Sequence, residues 1–155
     1  MTEKNADITR HQRAMRQLLG ATAIYAVLGL LAGLFYREYT KANGFTEGLM
    51  GQLGLVHTHI LTLGMLVMLI VLALEKVFRL STSRLARWFF WIYNLGVVLT
   101  SAMLTWHGML QVQGVEGSKM ISGIAGLGHI LIGAGFVLLL LNLRAALRRD
   151  ERAVV

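Results

Sequence analysis

Four apolar runs, at residues 17–36, 53–74, 88–109 and 121–143, take up most of this chain. Each has the ~20 residues that a helix needs to cross the hydrocarbon layer of a bilayer. Within lipid a backbone must satisfy its polar groups inside the segment, so such runs are restricted to helices. The expected fold is all-α: an integral membrane four-helix bundle, one domain over residues 1–155. A 55% hydrophobic composition and a mean hydropathy of +0.61 exclude an ordinary soluble domain. The lipid bilayer is the first expected partner. No linker, low-complexity tract or internal repeat stands between the runs, and the first run is too long for the core of a cleaved signal peptide.

Proline is absent, which removes the commonest cause of helix kinks and predicts straight helices. The 17 glycines instead allow neighbouring backbones, or a flat ligand, to approach closely. Examples are Gly29 and Gly33 on the first helix and Gly126, Gly128, Gly133 and Gly135 on the fourth. Cysteine is also absent. Disulfides, thiolate metal sites and covalent haem attachment are excluded, so any haem must be held noncovalently.

The net charge of +7 raises the question of nucleic acid, but its placement answers it. Lys4, Arg10, Arg13 and Arg16 precede the first run, Lys76, Arg79, Arg84 and Arg87 lie between the second and third, and Arg144, Arg148, Arg149 and Arg152 follow the fourth. The other two connections carry only Arg37, Lys41 and Lys119, balanced by Glu38, Glu47 and Glu116. That asymmetry is the positive-inside pattern and predicts both termini in the cytoplasm of a bacterial inner-membrane, multi-pass protein. The basic excess is then a topology device facing anionic headgroups, with no nucleic-acid partner expected. Trp88, Trp91 and Tyr93 at the inner boundary, and Tyr36, Tyr39 and Trp106 at the outer one, read as aromatic belts.

Ionisable groups inside a membrane are expensive and mark functional sites, and four histidines fall in the outer half of the apolar runs. His57 and His59 lie about one to two turns below the outer surface, His107 about one turn and His129 about two. Three helices thus bring imidazoles to a common depth. His57 and His59 are two residues apart, about 200° of helical rotation, so they face opposite ways and suit different partners. Gly126 and Gly133 flank His129 on its own face, and Gly54 and Gly64 flank His57, giving the clearance that a planar macrocycle needs. Haem iron takes axial imidazole from such apolar surroundings, and Arg37 at the outer end of the first helix is placed to pair with propionates. His11, in the charged leader, reads as solvated, and Glu75 beside Lys76 and Arg79 reads as an interfacial ion cluster.

Over nearly the whole chain, Leu34-Phe35-Tyr36-Arg37-Glu38, Gly44-Phe45, Val56-His57-Thr58-His59, Leu63-Gly64-Met65 and Ile124-Ala125-Gly126-Leu127-Gly128-His129-Ile130-Leu131 resemble a family of small bacterial four-helix membrane proteins of unknown function. In that family the position of His107 is often arginine. Across about ten residues, His57-Thr58-His59-Ile60-Leu61-Thr62-Leu63-Gly64 is also similar to the His-x-His helix of haem-copper oxidase catalytic subunits. That resemblance implies a haem ligand at both His57 and His59, and a threefold arrangement of four-helix units. The copper-site histidine pair of that family is not matched here, so oxygen reduction is not implied.

The residues lead to a noncovalent b-type haem protein with His57, His59 and His129 as candidate iron ligands and His107, Arg37, Gly64, Gly126 and Gly133 around the cofactor. It would serve electron transfer or small-gas chemistry at the outer leaflet, with a redox partner the sequence does not name; haem-dependent oxidoreductase activity stays open. Two alternatives remain: a membrane protein binding copper or another metal through the same histidines, and a cofactor-free structural or accessory subunit. A homo-oligomer is expected, a trimer if the threefold resemblance holds.

Overall fold

The structure, a computed structural model, describes residues 3–45 and 51–154. Glu47, one of the acidic residues of the outer connections, lies outside them, as do the side chains of Lys4 and Arg152. Among the described residues all regular structure is helical: α1 (Glu3–Ala42), α2 (Gln52–Phe78), α3 (Arg84–Val112) and α4 (Lys119–Val154). All four are long and apolar enough to cross a membrane, the pattern of a multi-pass membrane protein. Each overruns its apolar run, α1 most of all, because the flanking Lys, Arg, Gln and Ala are good helix formers and propagation adds one hydrogen bond per residue.

The ends follow from local chemistry. Beyond α1 and α3, Gly44 and Gly114 take the left-handed conformation (φ 62° and 72°) that a side chain disfavours. Ser83 caps α3 by accepting the Leu85 N–H at 3.1 Å. The α2 end is unusual: Arg79 adopts φ 48°, a left-handed conformation costing about 1–2 kcal/mol in a non-glycine residue.

α2 departs from the expected straight α-helix. Ile60–Leu66, directly after His59, is π-helical. Val56, Ile60, Gly64 and Met68 are all buried at a constant spacing of four. In a regular α-helix each such step drifts about 40°, so three steps would carry the last residue off the packed face. The wider π turn keeps all four on it. The rearranged ladder also leaves a carbonyl for Tyr93, whose hydroxyl donates to Leu63 O at 3.0 Å. Tyr93 is therefore fully buried rather than part of a boundary belt, whereas Trp88, Trp91 and Trp106 are exposed as a belt requires.

The helices pack in chain order, α1 on α2, α2 on α3 and α3 on α4, while α1 and α4 make no extended contact. Lipid tails are as apolar as leucine, so helix association rests on close fit and buried hydrogen bonds. Glycines supply the fit: a Cβ on Gly96 of α3 would lie 2.8 Å from Gly128 O and Ile132 N of α4, and one on Gly135 would lie 2.8 Å from Tyr93 Cβ. On the other side, a Cβ on Gly29 of α1 would meet the Leu61 side chain at 2.5 Å. The hydrogen bonds include Tyr25 OH to Asn94 Oδ1 at 2.7 Å, linking α1 to α3, with Asn94 in turn donating to Phe90 O at 2.6 Å.

Candidate functional site

The four membrane histidines sit in one half of the molecule but do not converge. His57 packs against Gly33 of α1; its Nδ1 is buried without a partner, and Nε2 reaches only Thr58 Oγ1 at 3.4 Å. His107 packs its ring against Gly117 in the α3–α4 connection. His59 and His129 share one arrangement: in each, Nδ1 lies 2.9 Å from the carbonyl four residues earlier, Leu55 O and Ala125 O. A carbonyl only accepts, so Nδ1 carries the proton and, in the neutral ring, Nε2 is left with the lone pair. His129 is exposed on the outward face of α4 and His59 is half-buried. Among the described residues no group of three or more His, Asp or Glu is placed to hold a metal ion.

The glycine clearance divides in two. A Cβ on Gly126 or Gly133 would meet nothing within 4 Å, so the face around His129 is open. Gly64 offers no such space, since a Cβ there would lie 2.5–3.0 Å from three ring carbons of Tyr25, and Gly54 is covered by Tyr36 at 3.3 Å. Sequence spacing places both beside His57 as ligand clearance, but both instead seat tyrosines of α1 against α2. Arg37 is exposed within α1, with Nε 3.5 Å from Glu38 Oε1.

At the opposite, basic end lies a polar centre. Glu75, 2% exposed, accepts from His11 Nδ1 at 2.6 Å, from Ser81 Oγ at 2.6 Å and from the Ser81 N–H at 2.8 Å. Asn142 of α4, 1% exposed, donates to Leu80 O in the same turn at 3.2 Å. All four helices are thereby tied to the α2–α3 turn, which explains how Arg79 is held in its strained conformation. His11 is not solvated, as the leader composition suggested, but 19% exposed and bonded to Glu75. Glu75 is likewise bonded to His11 and Ser81 rather than clustered with Lys76 and Arg79. The pairing spans 64 residues of sequence and leaves no spacing signature. The one available sign is an acidic residue at the very end of an apolar run, which must find a partner if buried.

Residues 15–146 match a family described as a protein of unknown function (DUF2871). No curated protein and no solved structure matches the chain.

Proposed function

The chain belongs to the DUF2871 family, and on that premise we propose that it is a noncovalent b-type haem protein of the bacterial cytoplasmic membrane. It serves electron transfer or small-gas chemistry, with both termini cytoplasmic and the histidines in the outer leaflet. The observation that carries this reading is the shared geometry of His59 and His129. An imidazole whose Nδ1–H is bonded to a backbone carbonyl has its tautomer and ring orientation fixed, with Nε2 as the basic ligand atom, as metal-ligating histidines generally do. Gly126 and Gly133 leave open space beside His129 for a macrocycle. His57, with its enclosed and unpartnered Nδ1, is the second candidate ligand on α2, and Arg37 is the propionate partner. His107, turned to the connection, stands outside the ligand set.

Bound haem supplies the redox or gas-binding iron. The chain would supply imidazole nitrogen from His59 and His129, an apolar surround, and clearance beside Gly126 and Gly133. His59 of α2 and His129 of α4 would hold the haem iron, and a closed head-to-tail trimer would let histidines of neighbouring copies share one cofactor. The test is the visible spectrum of the detergent-purified protein. A Soret band with sharp α and β bands on reduction is expected, lost or converted in His129→Ala and in His59→Ala. Protein without haem would overturn the reading, and stoichiometric copper in its place would move the same histidines to a copper site. An unchanged low-spin spectrum in both variants would remove these ligands.

A further inference from the structure

The basic end contains a cavity of about 530 Å³ that the histidine chemistry does not use. It opens beside the α2–α3 turn, and residues of α1 and α4, which do not pack on each other, both line it. Its rim carries Arg10, Arg13, Arg84 and Arg87. Of these four arginines only Arg10 has a carboxylate partner among the described residues, Asp7 at 3.5 Å. Its polar floor is Glu75 and Asn142, and its walls include Leu18, Val71 and Leu139.

Donor and acceptor chemistry is segregated along this cavity. Guanidinium groups only donate, so the rim calls for an anion. The floor has the reverse deficit. Asn142 Oδ1 is buried with no hydrogen-bond partner, and its amide cannot be turned over, because Nδ2 is held by Leu80 O. Glu75 receives three bonds, while a carboxylate has about four acceptor sites. The floor therefore calls for a donor. A hydroxyl meets that deficit without adding a cation to a cavity already lined by four arginines. The matching ligand bears an anionic phosphate at the mouth, free hydroxyls inside it and an apolar portion against the aliphatic walls.

We propose that this cavity binds a hydroxylated phosphodiester, the head of a phosphatidylglycerol-type lipid, with phosphate on the arginine rim and glycerol hydroxyls on Asn142 and Glu75. The acyl chains leave between α1 and α4. This site is independent of haem. Free glycerol phosphate shares the head chemistry but lacks the apolar portion.

The test uses the full chain in neutral detergent, with lipid binding followed by native mass spectrometry. One phosphatidylglycerol per chain is expected, bound about tenfold more tightly than phosphatidylmethanol, which has the same charge without hydroxyls. Arg84→Gln and Arg87→Gln, both at exposed positions, should each weaken binding about fivefold. In Asn142→Leu the preference for phosphatidylglycerol over phosphatidylmethanol should vanish while both still bind. Equal binding of these two lipids by the unaltered chain would overturn the hydroxyl assignment, and equal binding of phosphatidylcholine would overturn the site. Glycerol phosphate binding as tightly as the lipid would overturn the lipid source.

Discussion

Removing the Glu75 carboxylate should loosen the molecule more than any exposed substitution. In Glu75→Ala three hydrogen bonds are lost together and His11 and Ser81 are left facing an apolar gap. Breaking a buried polar pair of this kind costs about 3–5 kcal/mol. Glu75→Gln keeps the volume but offers one acceptor oxygen to three donors, so an intermediate loss of about 1–2 kcal/mol is expected. His11 is 19% exposed and water can replace part of its bond, so His11→Ala should cost about 1–2 kcal/mol. The assay is equilibrium unfolding in mixed dodecyl maltoside and dodecyl sulfate micelles, followed by far-ultraviolet circular dichroism. The double variant completes a cycle whose coupling should be about 1–2 kcal/mol. A coupling below about 0.5 kcal/mol, or a Glu75→Ala loss no greater than that of a surface change, would refute the four-helix clasp.

Glycines that look alike in sequence should separate in the same assay. Gly96→Ala and Gly135→Ala force a methyl into the α3–α4 contact and should cost about 1–3 kcal/mol, whereas Gly126→Ala and Gly133→Ala should stay within about 0.5 kcal/mol. The last two should nonetheless weaken haem retention, and unaltered retention would show that the open face of α4 is not the cofactor's. Reporter fusions after Gly44 and after Glu116 should both register the outer side of the membrane, and cytoplasmic reporter activity at either would reverse the orientation.

The helices were legible because lipid leaves an apolar run only one way to satisfy its backbone. Their ends were less so, since Asn5 to Arg16 are polar yet helix-forming, and hydropathy marks the membrane boundary rather than the last hydrogen bond. The π segment was hidden because absence of proline speaks only to one cause of irregularity; the even spacing of Val56, Ile60, Gly64 and Met68 was its trace. At the candidate site the sequence supplied residue types and depth but not direction. Gly64 and Gly126 are equivalent on paper, and only tertiary packing reveals that Tyr25 covers one and nothing covers the other. His11 and Glu75 carried no joint pattern at all, because helix order, not sequence distance, makes them neighbours.

The clasp also gives the chain a temporal order. His11 of α1 is made before its acceptor Glu75 in the last turn of α2, and Asn142 of α4 after both. The turn carrying Arg79 therefore remains without its full set of restraints until α4 arrives. A chain cut before Asn142 would lack the tie to Leu80 while still containing both His11 and Glu75. Closure of the basic end is thus coupled to the arrival of α4: the α2–α3 turn is fully tied only when Asn142 reaches Leu80.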